Sequence, residues 1–184
     1  MKILGLTTSG KTLSVAVTDG AVLAEKSFEA DRSHSVVLLP TIMECLKTAG
    51  FEAKDLDGIA VDIGPGSYTG IRIGIATAMG IVFPTGIPCC GVSSLEAMAY
   101  GVKRAIAIKP ARGNLYYAAV FEGGKRLTPD KIVESVDDYP DFEVVTREDF
   151  PASNLCFLAK DFRPANELRA AYLEPTKAEK ELNN

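Results

Sequence analysis

The sequence predicts an α/β protein, and three observations support this fold class. Three β-rich runs, KILGLTT, TLSVAVTD and AVLAEKSFEA, are separated by SGK and DGA, which suit hairpin turns. A helical segment, a short apolar run and two further helical segments follow these strands. A second strand–turn–strand pattern begins near Lys103, so the chain starts a second, thinner half there.

The elements of the first half have recognisable boundaries. SHSVVLLPTIMECLKTAG predicts a helix with a serine available at its start and Gly50 as its stop. LDGIAVDIG suits a buried strand, and a glycine-rich helix follows from Tyr68 to Phe83. SSLEAMAYGV predicts a third helix, capped by Ser93 or Ser94.

The second half carries weaker signals after its first hairpin. RAIAIKP and LYYAAVFE predict two strands, and the next turn lies at Gly123–Gly124. ASNLCFLAKDF and NELRAAYLEP predict two short helices. We therefore predict a first domain over residues 1–101 and a reduced second domain over residues 102–184.

The composition is that of a globular protein with a substantial core. Of 184 residues, 47% are hydrophobic and 24% are charged, and the net charge of −4 argues against a stand-alone nucleic-acid-binding protein. Four cysteines without a C-x-x-C pair and a single histidine argue against a structural zinc site. The N-terminal run alternates and contains a turn, unlike a signal peptide, so we expect a reduced, cytoplasmic protein.

The segment IGPGSYTGIRIGIATAMGIVFP could cradle a phosphate, span a membrane or pack against protein. Gly64, Gly66 and Gly70 are spaced one residue too far apart for the dinucleotide fingerprint, and no P-loop Lys-Ser or Lys-Thr pair follows. The apolar run is too short for a membrane span and contains Arg72. We therefore interpret the segment as a packing helix.

The packing helix is apolar on all sides and must be covered on all sides. Gly70, Gly74 and Ala78 recur every four residues and predict a groove that another helix can approach, although each interior glycine costs roughly 1 kcal/mol relative to alanine. The alternative is that this groove packs against the chain's own sheet instead of against another helix. We predict a homodimer or partner interface formed by His34, Leu38, Ile42, Tyr68, Gly70, Ile71, Gly74, Ile75 and Ala78.

The first helix carries two neighbouring apolar stripes, one beginning at Val36 and one at Leu38. Together they cover an arc of roughly 180°, against the roughly 100° needed to face one core. The stripes form either one broad core face, or one face on the sheet and one on another chain. Their members are Val36, Leu39, Met43 and Leu46, and Leu38, Ile42, Cys45 and Ala49.

Five segments resemble the TsaB (YeaZ) proteins and stand in the same order as in that family: HSVVLLPTI, DGIAVDIGPGSYTGIRIG, GVSSLEAMA, RGNLYYAAVF and AAYLEP. The resemblance implies a duplicated actin-like, ribonuclease-H-like fold, shared with sugar kinases and Hsp70. It implies a non-catalytic partner of TsaD that acts with TsaD and TsaE to make N6-threonylcarbamoyladenosine in tRNA. It also implies pairing through the two helices, with a second copy or with TsaD.

Two departures from the family pattern affect the expected chemistry. Family members usually carry Asp-Thr-Ser after the first strand, and this chain has Thr7-Thr8-Ser9. Their common DARRGEVYY is KPARGNLYY here, so Lys109 replaces an aspartate. The resemblance to actin-like ATPases implies that the first acid serves the phosphate and its metal. We therefore expect no cofactor, unless ATP and magnesium are shared with TsaD, although an actin-like ATPase or small-molecule kinase is the alternative function.

The remaining candidate groups predict no catalytic residue. GSYTG is not a nucleophile elbow, and His34, the only imidazole, could act only if it met Ser67. The related TsaD proteins bind metal through H-x-x-x-H, which one histidine cannot supply, so we expect neither a metal nor protease activity. Asp62 is expected to bond the glycine turn that follows it. A loose cluster is interpreted as a solvated face without direct tRNA binding: Lys103, Arg104, Lys109 and Arg112.

Overall fold

Three antiparallel strands open the chain, as predicted, and two parallel strands extend them into a five-stranded sheet. This computed structural model describes residues 1–29, 34–136, 139–147 and 149–173. The strand order is β3-β2-β1-β4-β5, with β4 and β5 parallel to β1. The strands are β1 (Lys2–Thr7), β2 (Thr12–Asp19), β3 (Val22–Glu29), β4 (Gly58–Asp62) and β5 (Cys89–Val92).

Two long helices, α1 (His34–Ala49) and α2 (Tyr68–Thr85), cover one face of this sheet. Because side chains alternate along a strand, Leu4 and Leu6 of β1 point into the core beneath the helices. The helix α1 ends at Gly50, whose φ of +76° lies in the left-handed region that favours glycine. The predicted stop of α1 at Gly50, the start of α2 at Tyr68 and the buried strand β4 are confirmed, whereas α2 continues to Thr85, beyond the predicted end at Phe83. The serine predicted at the start of α1 lies outside the described residues.

A second sheet repeats the first in reduced form. Its order is β10-β6-β7-β8, with β9 also paired to β7, and β10 runs parallel to β6 as β4 does to β1. Between β9 and β10 the described residues form no helix, whereas α1 joins β3 to β4 in the first half. The strands are β6 (Arg104–Pro110), β7 (Tyr116–Glu122), β8 (Lys125–Arg126), β9 (Lys131–Val133) and β10 (Glu143–Val145).

Two short helices join the sheets into one core. The helix α3 (Ser94–Ala99), capped by Ser93, packs on β6 and β7. The helix α4 (Ser153–Leu158) packs on β1, β2 and β4, on the face opposite α1 and α2. The two sheets therefore lie on either side of the predicted boundary at residues 101–102, but α4 returns to the first sheet. The boundary itself stays a prediction.

The predicted helix over NELRAAYLEP is wrong. A 3₁₀ turn at Ala165–Glu167 is followed by irregular chain, and the N–H of Ala171 donates to the carbonyl of Ile63 over 2.8 Å. This tertiary hydrogen bond, beside the end of β4, takes a backbone donor that a helix would use internally. The segment from residue 174 onward lies outside the described residues.

The glycine groove of α2 faces the chain's own first strand, so the prediction of an interchain contact at these glycines is corrected. A Cβ on Gly70 would lie 1.9 Å from the carbonyl oxygen of Thr8, and one on Gly74 would lie 2.7 Å from the Thr8 Oγ1. The Thr8 hydroxyl also donates to the carbonyl of Gly70 over 2.7 Å. Glycine is required because the end of β1 and α2 approach each other so closely. The groove therefore packs against the chain's own sheet, which was the alternative to an interchain contact.

Most of the other predicted interface residues are also buried within this chain. Leu38 and Ile42 of α1 and Ile71 and Ala78 of α2 are each at most 1% exposed. Ile75 is half-buried against the same core. The four fully buried side chains cannot meet a second chain unless the core opens, so the predicted residue set is corrected: it describes mainly the inner faces of the two helices.

The outward faces of the same helices are apolar as well. Val36, Leu39 and Met43 of α1 are 71%, 51% and 64% exposed, and Phe83 of α2 is 71% exposed. Gly80 is exposed, and a Cβ there would meet nothing within 4 Å. We call these five residues the outer helical face.

Within the described part of the chain, no helix is long and apolar enough to cross a membrane.

Candidate functional site: a cleft between the two sheets

The buried carboxylate of Asp62 lies at the end of β4 and accepts four hydrogen bonds. The hydroxyls of Thr7 and Ser9 donate to Oδ2 over 2.6 and 2.5 Å. The Ser94 hydroxyl and the Gly64 N–H donate to Oδ1 over 2.6 and 2.9 Å. Because a carboxylate offers about four lone-pair sites, its accepting capacity is used. Asp62 thus holds the glycine turn, as expected, and organises three hydroxyls.

The topology brings these groups together. The strands β1 and β4 are parallel neighbours, so Thr7 and Asp62 reach the same edge of the sheet. The Ser93 hydroxyl caps α3 by accepting from the N–H of Leu95 over 3.2 Å, which leaves Ser94 to face Asp62. The three hydroxyls around Asp62 were not predicted from the sequence. Their signal was their position at or just after the carboxyl ends of β1 and β5, which both run parallel to β4.

Lys109 is buried at the end of β6, where its residue exposure is only 2%. Its ammonium donates to the Ser9 Oγ over 3.2 Å, and Gly66 leaves room for it, since a Cβ there would lie 2.8 Å from Nζ. The interpretation of Lys109 as part of a solvated face is therefore wrong. Alternation in β6 was the available signal, because Ala105 and Ala107 share its side of the strand and are buried.

Above this cluster, a cleft of about 670 Å³ opens between the two sheets. His34, at the first position of α1, lines the cleft, and its buried Nε2 has no hydrogen-bond partner among the described residues. No aspartate or glutamate of the described residues lines the cleft. Its lining includes Ser9, Lys11, His34, Gly66, Lys109 and Tyr117.

No nucleophile is assembled in the described part of the cleft. No hydrogen bond links Ser67 to His34, and the Ser67 hydroxyl instead caps α2 by accepting from the N–H of Gly70 over 3.2 Å. Burial raises the pKa of Cys45 and Cys89, and raises the pKa of Cys156 to about 12, so these thiols are poor nucleophiles. Among the described residues, no group of three or more His, Cys, Asp or Glu side chains could hold a metal ion.

The residues that the structure describes do not fit a metal–nucleotide site of the actin-like type. Thr7 stands where a carboxylate would be needed at the end of β1, and the nearby Asp62 has its accepting capacity used. The buried Lys109 side chain, which donates to Ser9 beside Asp62, is a cation and not a metal ligand.

Tyr68 is the one predicted interface residue that is well exposed. It begins α2, and its ring lies 4.9 Å from that of Tyr172, near the end of the described chain. Arg72 donates to the Tyr68 hydroxyl over 3.0 Å and lies over the ring, 5.1 Å from its centroid. This cluster lies at the N-terminal end of α2.

Comparisons with known proteins match most of the chain. A family model described as "TsaD: tRNA N6-adenosine threonylcarbamoyltransferase" matches residues 23–145. The tRNA threonylcarbamoyladenosine biosynthesis protein TsaB of Escherichia coli (strain K12) is 38% identical over 127 residues, which cover 64% of this chain and 54% of that protein. The TsaB protein of Buchnera aphidicola subsp. Schizaphis graminum is 30% identical, with 73% of this chain and 67% of that protein covered.

The fold comparison agrees with the sequence comparison. The solved structure of YeaZ from Pseudomonas aeruginosa matches with a TM-score of 0.81 and 25% identity, covering 94% of this chain and 99% of that one. The predicted α/β class with two related sheets is therefore confirmed. The chain spans about half the length of the E. coli relative. On the family model, the sequence identities and the shared fold, the chain belongs to the TsaB (YeaZ) family.

Proposed function

We propose that this protein is a non-catalytic subunit of the complex that makes N6-threonylcarbamoyladenosine in tRNA. The observation that carries the proposal is the outer helical face, which presents four exposed apolar side chains and an open glycine on two neighbouring helices. Exposed apolar patches of this kind mark protein–protein interaction sites. The names of the relatives indicate the process, which is tRNA threonylcarbamoyladenosine biosynthesis. The outer helical face suggests that the protein acts in this process by binding a partner protein.

The proposed partner of the outer helical face is a TsaD-type protein, with a TsaE-type protein as a further member of the complex. The name of the matching family model, which refers to TsaD, supports a partner of this type. In the isolated protein, a second copy would cover the same face through a two-fold axis, so that the patch meets itself. TsaD would compete with this homodimer.

Gly80 explains how a partner helix could come close. It lies one turn after the exposed Ala76, and neither residue carries a side chain larger than a methyl group. Met43 and Phe83 add large exposed apolar surfaces to the same face. Aromatic residues and methionine are enriched at the centres of interfaces. The close approach of a partner helix, which was predicted at Gly70 and Gly74, is therefore proposed at Ala76 and Gly80 instead, on the other side of α2.

The proposal assigns no catalytic residue, cofactor or direct tRNA contact to this chain alone. Among the described residues, no carboxylate of the kind a kinase or ATPase would need lines the cleft, and no described contact there favours that alternative. ATP and magnesium enter the proposal only at a surface shared with TsaD. Because tRNA modification takes place with tRNA in the cell interior, we place the protein in the cytoplasm.

The purified protein is expected to show no ATP hydrolysis in the presence of magnesium. The reason is that Thr7 cannot replace a metal-binding carboxylate and Lys109 repels a divalent cation. Phosphate release is measured with a coupled assay, with a known actin-like ATPase as positive control. Turnover that disappears when a residue of the cleft is mutated would contradict the proposal in favour of the ATPase alternative.

Leu39→Glu is expected to weaken binding to the cognate TsaD by about 30-fold or more, because truncating or charging an interface hot spot costs about 2 kcal/mol or more. The matched control is Leu127→Glu in the second half, since both leucines are 51% exposed. Binding is measured by surface plasmon resonance, and oligomeric state by analytical ultracentrifugation.

Both variants are expected to keep the wild-type circular dichroism spectrum, because both side chains are already largely in solvent. Leu39→Glu is also expected to shift the isolated protein towards monomer. Equal TsaD affinity of Leu39→Glu and the wild-type protein would remove the outer helical face from the proposed function. Equal loss in both leucine variants would point to a general effect of added charge.

A further inference from the structure

We propose that a groove between α3, α4 and the β7–β8 turn contacts single-stranded RNA when the complex binds tRNA. The ligand class is an unpaired nucleobase together with its phosphate. The inference rests on the proposed function, because tRNA modification brings tRNA to the complex. The groove adds one contact to those of the whole complex, since a net charge of −4 does not make this chain a stand-alone RNA-binding protein.

The groove carries a pair of stacked aromatic rings. Tyr100 directly follows α3 and Phe157 lies in α4, and their ring centroids are 6.0 Å apart with an interplanar angle of 18°. Both rings line a groove of about 540 Å³, and they are 42% and 39% exposed. Proteins that bind single-stranded RNA stack unpaired bases on exposed aromatic side chains of this kind. A paired base in a duplex cannot use such rings, because its neighbours cover its faces.

The β7–β8 turn leaves space on the opposite wall of the groove. Gly123 and Gly124 form this wall, and a Cβ on either glycine would meet nothing within 4 Å. The Gly123 N–H donates to the carbonyl of Lys103 over 2.7 Å, which ties the turn to the chain just before β6. The space for a flat group is therefore already present in the folded chain, which lowers the cost of binding.

Two lysines supply positive charge beside the rings. Lys103 and Lys160 line the groove, and both are exposed. The acid in the lining, Glu96, is paired with Arg126 over 3.0 Å. Aromatic rings beside lysines complement a nucleotide, whose base is flat and whose phosphate is negative. Lysine is depleted in protein–protein interfaces, so this composition favours RNA over a protein partner.

The test is the binding of a fluorescein-labelled single-stranded RNA of about twelve nucleotides to the purified wild-type chain, since bound sites commonly span about 4–16 nucleotides. Fluorescence anisotropy at low ionic strength is expected to show saturable binding that weakens as salt is added. The same strand annealed to its complement is expected to bind more weakly, because its bases are no longer free to stack. The isolated chain is used, so the result does not depend on binding to TsaD.

Tyr100→Ala is expected to weaken RNA binding about fivefold or more, because stacking one base on an aromatic ring is worth about 1 kcal/mol or more. The matched control is Tyr116→Ala, since Tyr116 is 38% exposed and is not among the lining residues. Lys103→Ala is expected to reduce the slope of log affinity against log salt by about 0.7, the contribution of one phosphate contact with a single strand. Its control is Lys131→Ala, an exposed lysine of β9.

Three results would overturn the proposal: no binding at millimolar protein, equal binding of the single strand and the duplex, or RNA binding that Tyr100→Ala leaves unchanged. Circular dichroism checks folding in each variant. If Tyr100→Ala does not fold, Lys103→Ala decides, and an unchanged salt slope then overturns the proposal. Loss of TsaD binding in Tyr100→Ala, with RNA binding kept, would make the groove a protein interface instead. The proposed function fails separately, through Leu39→Glu, so the two failures can be distinguished.

Discussion

Replacing Gly70 with alanine is expected to lower the free energy of unfolding by about 3 kcal/mol, at the upper end of the usual cost of overpacking. The added methyl group would lie 1.9 Å from the carbonyl oxygen of Thr8, which is backbone and cannot rotate away. The helix α2 would have to move off β1 and break the hydrogen bond from the Thr8 hydroxyl to Gly70. Urea denaturation followed by circular dichroism measures the change.

Gly80→Ala is the matched control, because it makes the same chemical change on the same helix. A methyl group at Gly80 would meet nothing within 4 Å, so only helix propensity changes, and stability is expected to rise by up to about 1 kcal/mol. The two alanine variants should therefore shift the urea midpoint in opposite directions. If Gly70→Ala unfolds like the wild-type protein, the close packing of α2 on β1 is incorrect.

Asp62→Asn is expected to cost about 3 kcal/mol or more, because hydrogen bonds to a buried charged group contribute about 1.5–3 kcal/mol each. The amide of asparagine has only one oxygen, so the hydroxyls of Thr7 and Ser9 would meet an NH₂ group instead of Oδ2. The variant also removes the negative charge beyond Ser9 that offsets buried Lys109. For a chain of this length, the loss corresponds to a fall in Tm of about 6–12 °C.

Asp161→Asn makes the same substitution at a solvent-exposed carboxylate. Asp161 pairs only at the surface with Arg163, and such pairs contribute about 0–1 kcal/mol. Differential scanning calorimetry of both variants should therefore show a large shift for Asp62→Asn and almost none for Asp161→Asn. Equal small shifts would mean that Asp62 is not the organising centre of the three hydroxyls.

The correction at α2 has a general cause. Helical periodicity shows which residues share a stripe, but not which stripe faces the sheet when the helix is apolar on all sides. The repeat of Gly70 and Gly74 and the pair of Ala76 and Gly80 both read as small stripes. Only the contact with Thr8 shows that the first stripe meets the chain's own backbone. The same ambiguity applies to the two stripes of α1.

Local sequence determined most of the secondary structure of the first half and the identity of the family. Hairpin turns, helix stops such as Gly50 and the alternation in β1 and β2 act within a few residues, so their signals can be read along the chain. The absence of a carboxylate at Thr7 could also be read there. The turns, the helix stops and the strand alternation follow from sterics and hydrogen bonding within a few residues of the chain.

The tertiary structure alone decided which helix face is covered and which groups meet in the cleft. Lys109 and Ser9 are separated by 100 positions in the chain, and their contact depends on how the two sheets pack. The docking of Ala171 and of the start of α4 onto the first sheet also involves long-range hydrogen bonds, such as those from the N–H groups of Ala152 to Ser14 and of Ser153 to Glu25. Packing between distant segments decides such contacts, because burial free energy depends on complementary surfaces that no local pattern encodes.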